Sequence, residues 1–108
     1  MTETDLVASI LLKFGSHPDV RIWRANVLVA KDARGRVVRA GITGQADISG
    51  LLGPTGRRIE IECKSPHGRQ SDEQRRWQAM IEERGGLYVL ARSTSDVEAA
   101  LRGAGWVP

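Results

Sequence analysis

The apolar residues of this chain recur first with helical spacing and then with the alternation of strands. Leu6, Val7, Ile10, Leu11 and Phe14 lie on one face of a helix. Polar and acidic residues precede that run and Gly15 follows it, which are typical helix start and stop signals. The stretch that follows predicts four extended segments separated by Gly-, Pro- and Asp-containing turns, over residues 20–30, 36–40, 45–52 and 57–64.

The second half of the chain returns to helical spacing. Ser71 is the expected cap of a helix that runs to about Arg84 and stops at Gly85-Gly86. Residues 87–91 are wholly apolar and predict a buried strand, and a last helix is expected from about Ser95 to Gly103. A strand reached through a helix usually joins its sheet by a parallel crossover. We therefore expect one α/β domain, residues 1–108, with a mixed central sheet.

The hairpin around Pro54 brings two carboxylates together. If its turn is centred between Pro54 and Thr55, Asp47 lies directly opposite Glu62, with Cβ atoms roughly 4.5–5.5 Å apart. The alternation agrees with this register, because Ala46 and Ile48 then share an apolar face with Ile59, Ile61 and Cys63. Gly44, before the strand that carries Asp47, is expected to allow a close backbone approach.

Opposed carboxylates repel each other unless a cation neutralises them. Mg²⁺ binds one or two carboxylates and keeps water and phosphate oxygens as its other ligands. Lys64 projects on the same side as Glu62 and could orient a metal-bound water and offset charge on a phosphate. Taken alone, such alternating charge is more typical of a solvated sheet face; the combination on opposed strands favours a metal-dependent catalytic site.

Several other polar residues leave two interpretations open. Gln74 can help the site or only cap its helix, since Ser71-Asp72-Glu73-Gln74 is a capping box. Glu60 can extend the acidic site or lie on a solvated flank. Glu3 or Asp5 can reach the site from the first helix or only favour the helix dipole. Cys63 alternates onto the apolar face, which argues against a nucleophilic role.

Composition and charge favour a nucleic-acid partner. The net charge is +3, and only three of the sixteen basic residues are lysines. Arginine suits phosphate recognition, although a composition bias would give the same excess. The absence of a long apolar run argues against a membrane span, and the single cysteine fits a cytoplasmic setting. Possible DNA contacts are Arg24, Arg69 and Arg75.

These residues resemble a known family, the VRR-NUC branch of the PD-(D/E)XK nucleases. The resemblance rests on combined motifs that span nearly the whole chain: Ile22-Trp23-Arg24, Gly44-Gln45-Ala46-Asp47-Ile48, Ile61-Glu62-Cys63-Lys64-Ser65, Ser71-Asp72-Glu73-Gln74, Gly85-Gly86 and Ala91-Arg92-Ser93. It implies a sandwich of helix, three antiparallel strands, helix and strand. It also implies Asp47, Glu62 and the Cys63 carbonyl as ligands of Mg²⁺ or Mn²⁺, with Lys64 as the catalytic lysine and Gln74 as a helper.

The resemblance further implies an endonuclease that hydrolyses DNA phosphodiester bonds. Stand-alone, phage-type members of the family look like homodimers that act on branched DNA such as Holliday junctions, and related domains serve DNA repair. We therefore expect a homodimer whose shared surface includes the first helix and the hairpin near Trp23. Two alternatives remain: a non-catalytic DNA-binding module of the same fold, and a nuclease that acts on plain duplex DNA.

Overall fold

The described residues form three helices and six strands. The computed structural model describes residues 1–25 and 28–108. In chain order its elements are α1 (Glu3–Phe14), β1 (Val20–Arg24), β2 (Leu28–Lys31), β3 (Val37–Ala40), β4 (Ile48–Leu52), β5 (Arg57–Cys63), α2 (Asp72–Glu83), β6 (Leu87–Ala91) and α3 (Thr94–Gly103). No helix in the described ranges is both long enough and apolar enough to cross a membrane.

The central sheet is mixed, as the sequence predicts. Its strand order is β1-β4-β5-β6. The first three strands are antiparallel, and β6 pairs with β5 in parallel after the crossover through α2. The predicted register of the hairpin is confirmed, because Ile48 pairs with Ile61 and Leu52 pairs with Arg57.

The prediction of one strand over residues 20–30 is wrong. β1 ends at Arg24 and belongs to the central sheet, whereas β2 pairs with β3 in a separate two-stranded sheet. Asn26 and Val27, which that predicted strand also included, lie outside the described residues. The main-chain amide of Ala25 donates to the carbonyl of Asp47 over 2.9 Å, which extends the pairing of β1 by one residue. The alternation of apolar and polar residues does not indicate which sheet a strand joins, so it could not show that β1 and β2 belong to different sheets.

Each helix begins at a side chain that satisfies its free amide groups. Thr2 and Asp5 form a capping box at α1, and Ser71 and Gln74 form one at α2. Ser93 caps α3, about two residues before the expected start at Ser95. These caps explain why the predicted helices match the observed ones closely.

The main core lies on one face of the sheet, between the strands and the helices α1 and α3. Its buried side chains come from both helices, from one face of β1, β4, β5 and β6, and from the segment after α3: Leu6, Val7, Ile10, Phe14, Val20, Ile48, Leu52, Ile59, Ile61, Cys63, Val89, Ala91, Val97, Leu101 and Trp106. The predicted apolar face of the hairpin is thereby confirmed for β4 and β5, and the polar residues between these positions point to the opposite face.

The opposite face of the sheet is covered in part by α2. A smaller apolar cluster there contains Ala46, Ile81 and Tyr88, with Trp77 and Met80 packed against it. Ala46 was expected on the other face beside Ile48. It lies before the start of β4, where strand alternation does not yet apply, and so its side chain packs under α2 instead.

Candidate metal and catalytic site

The residues of the candidate site lie close together near the end of β5. Asp47 lies just before β4 and Glu62 lies near the end of β5. The amide of Cys63 donates a hydrogen bond of 2.8 Å to Oδ2 of Asp47, which fixes the Asp47 carboxylate against the strand that carries Glu62. The charge of the Asp47 carboxylate thereby lies next to Glu62 and helps to raise the pKa of Glu62.

The Glu62 carboxylate is almost fully buried, with an exposed fraction of 3%. Burial and the neighbouring charge of Asp47 raise the pKa of Glu62 to about 8, and Lys64 opposes that rise. Oε1 of Glu62 lies 3.8 Å from Nζ of Lys64. Oε2 of Glu62 has no hydrogen-bond partner among the described residues. A buried carboxylate oxygen without a partner is costly, so the site has capacity for a cation or a proton.

Gln74 both caps its helix and contacts the candidate site. Its Oε1 accepts a hydrogen bond of 2.9 Å from the amide of Ser71, which completes the cap of α2. Its Nε2 donates a hydrogen bond of 3.2 Å to Oε1 of Glu62. The start of α2 is thereby tied to the carboxylate on β5, and the side-chain amide orients that carboxylate.

The two acidic residues of the first helix have different surroundings. Oε1 of Glu3 accepts a hydrogen bond of 3.2 Å from the amide of Ser65, next to Lys64, and the Glu3 charge contributes to the raised pKa of Glu62. Asp5 instead accepts a hydrogen bond from the amide of Thr2 in the capping box. The geometry therefore brings Glu3 towards the site and leaves Asp5 at the helix cap.

Gly44 shows the close backbone approach that the sequence predicts, and the approaching group is α2. Gly44 has a φ of +85°, a conformation that other residues rarely adopt. A Cβ at this position would lie 2.5 Å from the carbonyl oxygen of Glu73. The glycine therefore allows the first turn of α2 to pack beside the segment that leads to Asp47.

Cys63 contributes its main chain to this arrangement rather than its thiol. The side chain is 1% exposed and packs in the main core. Burial raises the pKa of the Cys63 thiol to about 12, and the charge of Asp47 adds to that effect. A thiol held in its neutral form is a poor nucleophile, so the site has no cysteine chemistry of its own.

Two polar contacts near the site were not found from the sequence. Glu60, two residues before Glu62, is 0% exposed and accepts a hydrogen bond of 3.0 Å from Nε1 of Trp77. Arg92 donates to the carbonyls of Ser65 and Gly68, over 2.6 and 2.9 Å, and so holds the loop that follows Lys64. The strand alternation places Glu60 on the same face of β5 as Glu62, and this was the one signal in the sequence. The alternation does not show whether another element covers that face or whether it is exposed to solvent.

No contact among residues 1–25 and 28–108 joins all three arginines that were proposed to contact DNA. Arg24 is exposed at the end of β1, and Arg69 is exposed in the loop before α2. Arg75 donates a hydrogen bond of 2.9 Å to the carbonyl of Gln70 and pairs with Asp72. Arg75 is thus engaged at the start of its own helix, whereas Arg24 and Arg69 have exposed side chains.

The donor set fits a hard cation held by few protein ligands. Over residues 1–25 and 28–108, no group of three or more His, Cys, Asp or Glu side chains has the arrangement needed to hold a metal ion. The Asp47 carboxylate is bound beside Glu62, however, and one buried oxygen of Glu62 has no hydrogen-bond partner in the described part of the chain. Mg²⁺ is commonly bound through one or two carboxylates, with waters and substrate phosphate oxygens completing its shell.

Comparisons with known proteins add no family assignment. No protein-family model matches the chain, and no curated protein matches its sequence. The functional interpretation therefore depends on the site geometry and on the motif resemblance.

Proposed function

We propose that this protein is a divalent-metal-dependent DNA endonuclease of the VRR-NUC branch of the PD-(D/E)XK superfamily. The observation that carries the proposal is that the Asp47 carboxylate is bound to the amide of Cys63, next to Glu62 on β5, with Nζ of Lys64 3.8 Å from Oε1 of Glu62. The helix, the three antiparallel strands and the crossover to a parallel strand around that site support the same assignment.

In the proposed reaction, Asp47 and Glu62 would hold Mg²⁺ or Mn²⁺, with the Cys63 carbonyl as a possible further ligand. Such an ion supplies Lewis-acid activation of a phosphate and lowers the pKa of a bound water. The residues of the chain do the remaining work. The Lys64 ammonium offsets negative charge that develops on the phosphate and orients the attacking water. Gln74 keeps the Glu62 carboxylate in position through its Nε2 hydrogen bond.

The proposed substrate is branched DNA, and the proposed assembly is a homodimer. One site cuts one strand per encounter, whereas symmetric cutting of a four-way junction requires two sites related by a two-fold axis. Apolar groups exposed on the protein are compatible with such an assembly. Leu12 on α1 is 84% exposed and Trp23 on β1 is 43% exposed. β1 is also an edge strand of the central sheet, which makes its main chain available for pairing.

The decisive experiment is incubation of the purified protein with labelled linear, flapped and four-way DNAs in Mg²⁺ or Mn²⁺. We expect cleavage that requires the metal and is strongest on branched DNA. Asp47→Asn should abolish both the cleavage and the metal-dependent rise in thermal midpoint, because only the folded state binds the ion. Glu82→Gln, which changes an exposed carboxylate of α2, is the matched control.

Each alternative result has a defined meaning. Equal cleavage of linear and branched DNA would make the protein a nuclease of plain duplex DNA. Binding to DNA without cleavage in either metal would make it a non-catalytic module. Cleavage by Asp47→Asn at the rate of the unaltered protein would show that the site is assigned to the wrong residues.

A further inference from the structure

A cleft of about 310 Å³ lies beside the candidate site, between α2 and the loop that leads to Asp47. It is lined by one face of α2 and by one loop residue: Glu73, Arg76, Trp77, Met80 and Thr43. Its volume is at the lower end of the roughly 300–1,000 Å³ typical of sites for small organic groups. The proposed phosphodiester chemistry does not use this cleft.

The Trp77 side chain, which forms the aromatic wall of the cleft, is held in place by a buried residue of β5. Nε1 of Trp77 donates a hydrogen bond of 3.0 Å to the fully buried carboxylate of Glu60. Arg58 approaches the same carboxylate oxygen to 3.7 Å. A hydrogen bond to a buried charged acceptor is stronger than one between neutral groups. The indole ring of Trp77 is therefore positioned before any ligand arrives.

The rim of the cleft offers both hydrogen-bond donors and acceptors. The guanidinium of Arg76 lies 3.9 Å from the carboxylate of Glu73, and both side chains are more than half exposed. An exposed ion pair of this kind contributes little stability and exchanges partners readily. Thr43 adds a hydroxyl on the other side. The chemistry of this lining suits a ligand with a planar ring that carries hydrogen-bond donors and acceptors on its edge.

The cleft is also close to the carboxylates along α2. Gln74, which contacts Glu62, lies one residue from Glu73 and three residues before Trp77. Three residues of helix correspond to about 4.5 Å along the axis. A strand that binds at Asp47 and Glu62 and continues along α2 would therefore bring a neighbouring nucleotide to the cleft.

We propose that this cleft binds one unpaired nucleobase of the DNA substrate, stacked on Trp77 and contacted at its edge by Arg76, Glu73 and Thr43. The inference rests on the proposed function, since it takes the ligand to be DNA. A base within a duplex has its faces covered by neighbours and its edge paired. Only an unpaired base offers a free face to an aromatic side chain. The site would therefore select DNA with unpaired nucleotides beside the cut, as at a flap or an open junction.

The test measures binding in EDTA, so that it requires neither a metal nor cleavage. Three labelled probes are compared: a short oligothymidylate, an abasic strand of the same length and phosphate number, and the oligothymidylate in a duplex. Removing an aromatic platform typically weakens binding by roughly 5- to 100-fold per stacked base. We expect the unaltered protein to prefer the oligothymidylate over the abasic strand by a factor in that range.

Two variants assign that preference to the cleft. Trp77→Ala removes the platform, and Thr43→Leu narrows the cleft without altering Trp77 or Glu60. In both variants the ratio of the affinities for the oligothymidylate and the abasic strand should fall to nearly one. Thr43→Leu decides the matter if Trp77→Ala fails to fold. Arg76→Ala should weaken binding of the oligothymidylate, whereas Arg102→Ala, which removes an arginine from a similar Arg–Glu pair on α3, should not change the preference.

Equal affinity for the oligothymidylate and the abasic strand in the unaltered protein would overturn the inference. So would a preference that survives Thr43→Leu and a folded Trp77→Ala. The result is distinguishable from failure of the nuclease proposal. A protein that cuts DNA but shows no base preference contradicts only the cleft. A protein that prefers the oligothymidylate but never cuts contradicts only the nuclease.

Discussion

The amide of Cys63 donates to Oδ2 of Asp47 over 2.8 Å, and this contact fixes the Asp47 carboxylate against the strand that carries Glu62. Asp47 lies just before β4 begins, and its carbonyl accepts a hydrogen bond from the amide of Ala25. The hydrogen bond from the Cys63 amide to the Asp47 side chain extends the contact between the two sides of the hairpin beyond the start of β4. It keeps the Asp47 carboxylate beside Glu62, and the charge of Asp47 helps to raise the pKa of Glu62.

The first prediction concerns the pH dependence of stability in the metal-free protein. Glu62 has a folded-state pKa of about 8 against an ordinary value of 4.5. Between these values the unfolded chain has lost a proton that the folded protein keeps. The free energy of unfolding should therefore fall as pH rises from about 4.5 to 8, by at most about 1.4 kcal/mol per pH unit.

The measurement is denaturant unfolding at several pH values in EDTA, compared with Glu62→Gln. The variant should lose most of this slope, because its amide does not titrate. Addition of Mg²⁺ near pH 8 should restore stability to the unaltered protein and not to the variant. If the two proteins show the same slope, Glu62 is not the group that is responsible.

The second prediction concerns Lys64, which lies near the buried Glu62 carboxylate. If it acts on charge in the transition state, Lys64→Met should slow cleavage by on the order of 10²–10³ while largely preserving DNA affinity. Single-turnover cleavage and anisotropy binding separate the two effects. Lys13→Met is a matched control, because Lys13 also lies 3.8 Å from a glutamate but at an exposed position on α1.

A different outcome would change the role of Lys64. Loss of DNA affinity in proportion to the loss of rate would make it a phosphate anchor instead of a catalytic group.

The third prediction concerns the contact between Gly44 and α2. Gly44→Ala must place a Cβ 2.5 Å from the carbonyl oxygen of Glu73 and also adopt a positive φ. Gly35 has a similar φ of +76°, but no described atom lies within 4 Å of a Cβ placed there. Gly35→Ala should therefore cost only the backbone term of about 1 kcal/mol, and Gly44→Ala should cost clearly more.

Thermal and denaturant unfolding of the two variants provide the comparison. Gly44→Ala should also weaken metal binding, because displacing α2 removes Gln74 from Glu62. Equal destabilisation by the two substitutions would contradict the close packing of α2 on this segment.

The fourth prediction concerns the proposed homodimer. Light scattering at micromolar concentration should give about twice the chain mass, and paired nicks on a four-way junction should lie symmetrically across it. Trp23→Glu, on the edge strand β1, should favour the monomer, whereas Val107→Glu, at another exposed apolar position, should not. A strictly monomeric protein that still makes symmetric paired cuts, without a dimer on DNA, would refute the proposal.

Local signals in the chain were enough to predict its helices, its hairpin register and the position of its final strand. Capping residues mark helix starts because they satisfy free amide groups only a few residues away. The alternation around Pro54 specifies register because a slip by one residue would move Ile59 and Ile61 out of the core. These interactions are short-range or strictly periodic, and the printed sequence shows them directly.

The candidate site was predictable only in part. The opposition of Asp47 and Glu62 follows from the hairpin, and Lys64 follows from alternation. The sequence did not show that Gln74 makes two contacts. Its Oε1 caps α2, whereas the partner of its Nε2 depends on how α2 packs on the sheet. The sequence also did not show that Glu60 is buried, since exposure depends on which half of the sheet α2 covers.

What the sequence alone determined is therefore the order and type of most elements, the pairing of β4 with β5 and the identity of the opposed carboxylates. Only the tertiary structure decided that β2 pairs with β3 outside the central sheet and that α2 lies over Glu60 and Glu62. It also decided that Glu3, rather than Asp5, reaches the loop after Lys64. The physical reason is the same in each case: these contacts join residues far apart in the chain, and their geometry is set by how whole helices and strands pack.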